Sequence, residues 1–263
     1  MLFEVQDGSF SYPNGRQILR DINFQFESES IMSVLGANGA GKTTLLRCML
    51  GLQKWQHGKT LIDGVDAKDI PNKVFWSNIG YVPQAKMPSF VYTVADMVVL
   101  GRSSHMGDFA RPSRHDWQLV HQTLETVGIA HLANKLCNEI SGGEYQLALV
   151  ARALVSEPKM LVLDEPESNL DFRNQVRILN VLRDLSVNHG IGSIVNTHFP
   201  AHALEISNHS LLMLNDNRSC FGPTKQVITE SNLSESFGVP VRIIDLGLDK
   251  RPNYSCVVAI PEI

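Results

Sequence analysis

The chain has 263 residues, of which 43% are hydrophobic and 19% are charged, a balance typical of a folded globular protein. Its 23 basic and 27 acidic residues give a net charge of −4, so the composition offers no overall support for nucleic-acid binding. No segment approaches the roughly 18 uninterrupted apolar residues that a membrane span requires. The four cysteines are scattered without a CxxC pair, which argues against a disulfide framework or a zinc site.

The first residues, MLFEVQDGSFSYPNG, lack the basic start and the apolar run of a signal peptide. We therefore expect a cytosolic chain. If it works at a membrane, it is expected to do so through a partner.

The first third of the chain predicts strands and one helix. Residues 20–30 alternate between apolar and polar side chains, which predicts a half-exposed strand in an antiparallel sheet. Residues 31–36 form an apolar run closed by glycine, typical of a buried strand, and a helix is expected to begin near Lys42. An Asp-Gly pair within 61–66 predicts a hairpin, and 78–84 predicts a strand that proline ends.

The pattern becomes helical from about residue 85 to 156, with apolar residues spaced i, i+3, i+4 in 93–101 and 114–128. A strand, a helix and a strand are expected to follow, at 159–166, 171–189 and 191–198. This alternation predicts a parallel α/β core. Beyond about residue 220, only short β-like runs are recognisable.

The segment GANGAGKTT, residues 36–44, matches the phosphate-binding pattern G-x-x-x-x-G-K-[ST], and it lies between a predicted buried strand and a predicted helix. Its glycines allow the backbone to surround phosphate groups with N–H donors. Lys42 is expected to reach the β- and γ-phosphates, and the Thr43 hydroxyl is expected to hold Mg²⁺. The alternative is a glycine-rich turn that only precedes a helix. The residues expected to contact the nucleotide here are Gly36, Asn38, Gly39, Ala40, Gly41, Lys42, Thr43 and Thr44.

Two carboxylates, Asp164 and Glu165, end the predicted buried strand LVLDEP. A carboxylate at the C-terminal edge of a parallel sheet is expected next to the phosphate loop. Asp164 is the candidate for the Mg²⁺ shell, and Glu165 is the candidate general base or water-positioning residue. The alternative is a solvated acidic pair at a strand end.

A second glycine motif, ISGGE, occupies residues 140–144 before a predicted helix. Ser141 and Glu144 form the capping-box pattern S-x-x-E, so a well-capped helix is a sufficient structural explanation for these two residues. A cap does not require two consecutive glycines, which cost backbone entropy. Gly142 and Gly143 instead favour a close approach to the backbone, at a helix N-terminus that suits an anion.

In these motifs the chain resembles the ATP-binding cassette (ABC) ATPases along nearly its whole length. ISGGE is similar to the family signature Leu-Ser-Gly-Gly-Gln with two substitutions. The resemblance implies that two copies pair head to tail, with each ATP held between the phosphate loop of one copy and Ser141, Gly142 and Gly143 of the other. It further implies that Tyr12 stacks on adenine and that Gln84 links the metal site to the helical lobe. It also implies that the loop SNLD (168–171), which ends at Asp171, crosses the dimer interface and that His198 contacts the γ-phosphate.

Two departures from the family pattern affect which of the family's contacts can be expected in this chain. Glu144 replaces the usual glutamine and adds negative charge near a triphosphate; we expect its carboxylate to turn back and cap its own helix. Glu167 and Asn169, in PESNLD, put the local interface contacts in doubt. His198 and His202 stand four apart, but Pro200 is expected to start a helix between them, which argues against a metal pair.

The resemblance implies one ABC ATPase domain over 1–263, with an α/β P-loop NTPase core containing a parallel sheet, an N-terminal antiparallel β subdomain and an inserted α-helical subdomain. The core with its antiparallel subdomain is expected to comprise 1–84 and 157–220. The helical subdomain with the signature is expected at 85–156, and a C-terminal tail at 221–263.

The resemblance also extends to a functional branch. The stretches TVADMVVLGRSSH (93–105) and 222–244 resemble ATPases that power the import of metal chelates of the iron-siderophore, haem or cobalamin type. Molybdate importers are similar around GRSSHMGDFARPSRHD (101–116). This implies ATP and Mg²⁺ as cofactors, integral-membrane permease subunits as partners, an external binding protein as an indirect partner, and a peripheral location on the cytoplasmic face of the membrane.

The alternative is a soluble ABC protein, such as a scaffold for iron–sulfur assembly or a clamp acting on DNA or ribosomes. Ribosome-acting members usually carry two cassettes, and DNA-repair members insert a long coiled coil between the phosphate loop and the signature. Neither feature is present, and no nucleic-acid partner is expected. Iron–sulfur scaffolds are not excluded by length.

Overall fold

The computed structural model describes residues 1–13, 15–85, 91–107, 111–247 and 254–260. Residues 108–110 of the stretch that resembles molybdate importers, and 248–253 and 261–263 of the predicted tail, therefore lie outside the described residues.

The strands, in chain order, are β1 (Leu2–Ser11), β2 (Gln17–Glu27), β3 (Ile31–Leu35), β4 (His57–Ile62), β5 (Val65–Asp66), β6 (Ile79–Val82), β7 (Met160–Asp164), β8 (Gly192–Asn196), β9 (His209–Met213), β10 (Ser219–Pro223), β11 (Val241–Asp245) and β12 (Ser255–Ala259). The α-helices are α1 (Lys42–Met49), α2 (Asn72–Asn78), α3 (Val94–Val99), α4 (Arg114–Thr126), α5 (Gly142–Leu154), α6 (Phe172–His189), α7 (Pro200–Ile206), α8 (Thr224–Val227) and α9 (Glu230–Phe237).

The chain divides into two compact units, one formed by Met1–Asp69 with Ile194–Ile263 and the other by Ile70–Ser193. The boundary falls within β8. The predicted limits of the helical subdomain, 85–156, lie inside the second unit and remain a prediction.

An antiparallel sheet of order β2-β1-β4-β5 lies in the first unit. β2 confirms the predicted alternation, because Ile22, Phe24 and Phe26 are buried while the residues between them are exposed. The predicted hairpin is also confirmed. Asp63 and Gly64 form its turn with φ of 49° and 81°, the left-handed values that a two-residue turn requires.

The first unit also carries the strand order β10-β9-β3-β8, in which β3 and β9 run parallel. Burial along the whole of β3 fits a strand covered on both faces. The prediction for the C-terminal tail, which recognised only short β-like runs, is incomplete. Besides β11 and β12 it forms helices α8 and α9, whose residues Val227 and Leu233 pack in a cluster with Leu212 and Val241.

The second unit pairs β6 and β7 in parallel, with Val82 opposite Leu163. The predicted helix 93–101 ends early: α3 stops at Val99 and a 3₁₀ helix, Leu100–His105, follows. A Cβ on Gly101 would lie 1.9 Å from the carbonyl oxygen of Arg152, so the chain here packs directly against α5. No helix in the described part of the chain is long and apolar enough to cross a membrane.

Candidate active site

The predicted phosphate loop connects β3 to α1 in the first unit. Gly36 follows the buried strand with φ of 152°. Gly41 has φ of 99°, and a Cβ there would lie 2.4 Å from Cγ2 of Ile18. Because an L-residue rarely adopts this conformation and its side chain would collide, position 41 requires glycine. Asn38 and Gly39 are exposed at the tip of the loop, where a ligand can reach them.

Lys42 begins α1, and its side chain folds back over this loop. The residue is 5% exposed, and its Nζ donates to the carbonyl oxygens of Gly36 at 2.9 Å and Ala37 at 3.2 Å. The N–H groups of the first turn of α1 add the partial positive charge of a helix N-terminus. Ala40, Thr43 and the ammonium group therefore belong to a turn whose positive end would suit an anion.

Tyr12 presents an aromatic ring to solvent from the same unit. The residue is 40% exposed, and its hydroxyl group lies 3.1 Å from Oγ1 of Thr44 in α1. Its ring meets Phe10 edge-on, with 5.1 Å between the ring centroids. These two contacts hold the ring beside the first turn of α1, and its role in stacking on adenine stays a prediction.

His198 follows β8, and the backbone before it is tied to β3. The N–H of Thr197 donates to the carbonyl oxygen of Val34 at 3.0 Å, one residue before the end of the strand that leads into the phosphate loop. The expected start of α7 at Pro200 is confirmed. Phe199 contacts both histidine rings, with centroids 4.1 Å from His198 and 4.8 Å from His202.

Asp164 and Glu165 end β7 in the second unit. Asp164 is 5% exposed at the last position of the strand. Glu165 has φ of 49°, an unusual value for a residue with a side chain. Its Oε2 accepts from Nε2 of Gln84 at 3.3 Å and from Oγ of Ser168 at 3.0 Å. The carboxylate is therefore oriented by two neutral donors from different segments.

The ISGGE motif forms the first turn of α5. Oε2 of Glu144 accepts from both N and Oγ of Ser141 at 2.8 Å, which confirms that this carboxylate caps its own helix. The backbone hydrogen bond from Ser141, followed by the side-chain one, lowers the pKa of Glu144. Gly142 is exposed, whereas Gly143 is buried against the side chain of Asn174.

The SNLD segment leads into α6. Asn169 has φ of 61°, and the side chain of Asp171 caps the helix by accepting from the N–H of Asn174 at 2.8 Å. Glu167, one of the departures from the family pattern, is 1% exposed. It therefore faces the interior of its unit.

Comparison with known proteins gives these motifs a family. The model of the ABC transporter family matches residues 19–168. This chain belongs to the ABC transporter family. It is an ATP-binding and ATP-hydrolysing subunit, as the sequence predicted.

Three similar proteins cover nearly the whole ABC chain. The molybdate import ATP-binding protein MolC of Haemophilus influenzae is 37% identical over 90% of this chain and 88% of its own length. The chelated iron transport system membrane protein YfeB of Yersinia pestis is 31% identical over 92% of this chain and 81% of its own length. A chain of an inward-facing ABC transporter, described as of metal-chelate type, has a TM-score of 0.88 and 33% identity, covering 99% and 98% of the two chains. The predicted fold class is confirmed.

The ABC family implies Mg²⁺ bound together with ATP. In the first unit Thr43 offers a hydroxyl group, and in the second unit Gln84 and Asp164 offer an amide oxygen and a carboxylate. Oxygen donors of these kinds are the ligands that Mg²⁺ prefers. Since Nε2 of Gln84 donates to Glu165, the amide oxygen is the atom that would meet a cation. The bound ion would neutralise charge on the transferred phosphoryl group.

Some contacts at this ABC site had no signal in the sequence. Ser168 belongs to the SNLD segment, and its hydroxyl group donates to Glu165, three residues before it. Asn174 has no signal because an asparagine in the first turn of a helix has no distinctive pattern. Its place against Gly143 becomes visible only when two separate segments are brought together.

A buried ion pair lies elsewhere in the second unit of the ABC chain. It joins Arg102 and Asp116, both in the stretch 101–116 that is similar to molybdate importers. Nε of Arg102 donates to Asp116 at 2.9 Å, and NH1 donates to the carbonyl oxygen of Val155 at 3.2 Å. Nε2 of His105 lies 3.0 Å from the carbonyl oxygen of Ser156. Arg102 and His105 therefore fasten the C-terminal end of the signature helix, which gives the GRSSH pattern a structural role.

Proposed function

We propose that this chain is the ATP-hydrolysing subunit of an importer that powers uptake of a metal chelate, of the iron-siderophore, haem or cobalamin type, through a separate membrane permease. The observation that carries the motor role is the carboxylate of Glu165, held by Gln84 and Ser168 at the end of a buried strand. A carboxylate oriented in this way can accept a proton from an attacking water. The cargo class is supported by the similarity to a transporter of metal-chelate type over 99% of this chain.

Each residue of the site receives a role in this proposal. Glu165 is the general base, His198 contacts the γ-phosphate, and Gln84 reports the state of the metal site to the helical segment. Tyr12 stacks on adenine, and the phosphate loop with Lys42 binds the triphosphate. Mg²⁺ is held by Thr43, Gln84 and Asp164. Catalysis then consists of positioning and charge stabilisation, as in other phosphoryl transfers.

We further propose a homodimer that encloses two ATP molecules. The capping box uses the N–H groups of Ser141 and Glu144, so the N–H groups of Gly142 and Gly143 remain for an anion at the helix N-terminus. A chain with two anion sites, at the phosphate loop and at the signature, suits a head-to-tail pair with two composite sites. ATP binding would favour the closed pair, and hydrolysis would reopen it.

The work of closure would be delivered to integral-membrane permease subunits, with the chain peripheral on the cytoplasmic side. An external binding protein would deliver the cargo and would not touch this chain. A molybdate or other oxyanion importer is the second candidate, and it is favoured by the 37% identity to the Haemophilus protein.

The test is to tag the chain in its native cell, solubilise the membranes gently and identify the co-purifying proteins. Recovery of a polytopic membrane protein, with ATPase activity that Glu165→Gln abolishes, supports the motor role. Recovery only from the soluble fraction with an assembly scaffold refutes it.

The recovered complex is then reconstituted into vesicles with ATP on the side of the ATPase subunit. Uptake of labelled ferric siderophore, haem, cobalamin and molybdate is compared, with the Glu165→Gln complex as the matched control. ATP-dependent uptake of a chelate supports the proposed cargo. Uptake of molybdate alone overturns the cargo class while leaving the motor role intact.

A further inference from the structure

The side chain of Asn174 lies in the space that a side chain at Gly143 would occupy. A Cβ built on Gly143 would be 2.3 Å from Cγ of Asn174 and 2.6 Å from each of its amide atoms, Nδ2 and Oδ1. These distances are far below van der Waals contact, so a larger residue at 143 requires the Asn174 side chain or the signature turn to move from its present position. At Gly142 the same construction meets only Cδ2 of Leu170, at 4.0 Å. The two signature glycines therefore have different surroundings.

Asn174 is fixed by the loop that precedes α6. Its N–H donates to Oδ1 of Asp171 at 2.8 Å, which anchors it in the first turn of the helix. Leu170, in the same loop, places its Cδ2 4.0 Å from the point that a Cβ on Gly142 would occupy. Leu170 of the SNLD loop and Asn174 of α6 therefore both lie beside the first turn of α5 within one unit.

We propose that Asn174 is a positioning residue for ATP-driven closure, because its side chain sets the place of Gly143 while its backbone N–H is held by Asp171. This inference rests on the proposed function, in which the signature N–H groups bind the nucleotide of the opposite copy. Asn174 itself does not touch the nucleotide. It makes the signature turn and the SNLD loop move as one piece, so an anion bound at α5 also fixes the loop.

The steric exclusion gives a direct test by compensation. Gly143→Ala inserts a methyl group against Asn174 and is expected to lower kcat about tenfold or more, since small displacements of positioning groups have effects of this size. Asn174→Ala removes the colliding atoms. The double variant should then recover part of that loss and approach the activity of Asn174→Ala, which itself should stay below wild type because the positioning contact is lost.

Gly142→Ala, alone and combined with Asn174→Ala, is the matched control. Within the chain its added methyl group meets only Cδ2 of Leu170 at an ordinary van der Waals distance of 4.0 Å, so any loss of activity comes from the nucleotide side. Asn174→Ala should therefore not rescue Gly142→Ala.

The readouts are kcat, KM for ATP, ATP-driven dimerisation by light scattering on the Glu165→Gln background, binding of a fluorescent ATP analogue to the monomer, and thermal unfolding. A positioning role lowers kcat and dimerisation while monomer binding stays unchanged, and the rescue is confined to position 143. A role that is only structural would instead move the thermal midpoint and the activity together in every variant.

The inference is overturned if Gly143→Ala is as active as wild type, or if the double variant is no better than Gly143→Ala. Either result leaves the proposed function standing, provided that wild type hydrolyses ATP and dimerises with it. If wild type itself shows no ATP-driven dimerisation, the proposed function fails first. A Gly143→Ala protein that does not fold is replaced by Asn174→Gln, whose longer side chain should press on Gly143 and reproduce the same kcat loss.

Discussion

Nε2 of Gln84 donates to Oε2 of Glu165 at 3.3 Å, across 81 positions of sequence. Glu165→Gln removes the proton acceptor and is expected to lower kcat by about 10²–10⁴-fold while ATP still binds. Gln84→Ala removes one orienting donor and a proposed Mg²⁺ ligand but leaves the proton acceptor in place, and we expect a smaller loss. Steady-state ATPase rates and equilibrium binding of ATP measure the two effects.

Lys42→Ala is the contrasting variant, because this side chain lies in the anion-binding turn. It is expected to weaken ATP binding itself. If Glu165→Gln kept nearly full kcat, Glu165 would not be the general base.

Tyr12 is expected to contribute to ATP affinity through its exposed ring. Stacking of an aromatic side chain on a base contributes about 1–3 kcal/mol, so Tyr12→Ala should weaken ATP binding by about 5- to 150-fold. Tyr12→Phe keeps the ring and loses only the contact to Thr44, and it should bind ATP nearly as wild type. Titration calorimetry with ATP distinguishes these cases, and equal losses in both variants would argue against stacking.

Glu144 is expected to stabilise its own helix and to have little effect on closure. Because its carboxylate is directed to Ser141, Glu144→Gln should change ATP-driven dimerisation by no more than about fivefold. A much larger gain would show that the negative charge opposes binding of the triphosphate.

The same carboxylate gives a stability that depends on pH. Since folding lowers the pKa of Glu144, its charged form is favoured in the native state. The advantage of wild type over Glu144→Gln should be complete above the ordinary glutamate pKa of about 4.3. It should be lost as pH falls through the lower native pKa. Denaturant unfolding at pH 7 and at acidic pH measures this, and an advantage that grew on acidification would contradict the assignment.

Asp116 is expected to matter for the stability of the helical segment. Hydrogen bonds from Ser113, with a further contribution from Arg102, lower the pKa of Asp116 to about 2. Asp116→Asn removes the buried carboxylate beside Arg102, which keeps its contact with Glu157, and should cost about 1.5–3 kcal/mol of unfolding free energy at pH 7. The difference should persist down to the ordinary aspartate pKa of about 3.9 and shrink as pH falls toward the native pKa.

Ser113→Ala is the control for that variant, because it removes the helix cap while Arg102 and Asp116 stay paired. It should cost about 1 kcal/mol. Urea unfolding of both proteins separates the two contributions. Equal losses of unfolding free energy in the two variants would show that the whole effect comes from the helix cap.

The helix caps and turns could be predicted from the sequence because their partners are a few residues apart. Ser141 and Glu144 were expected to form a capping box, and Asp63 and Gly64 a hairpin turn, and both occur as expected. The tail was only partly anticipated, because α8 and α9 are short and acquire their apolar contacts from β9 and β11. Intrinsic helix propensity alone is too weak to predict helices of that length.

What the sequence determined by itself is the chemistry of contiguous segments: a loop of successive backbone N–H groups with Lys42, and two carboxylates at the end of a buried strand. Phosphate is bound by neighbouring residues, so such a motif is complete in a few letters. Only the tertiary structure decided that Ser168 and Gln84 orient Glu165, and that Asn174 occupies the space above Gly143. The contact between Gln84 and Glu165 joins segments that are distant in sequence, and Ser168 and Asn174 carry no recognisable sequence pattern. Asn174 occupies the space above Gly143 because close packing leaves room there for one side chain.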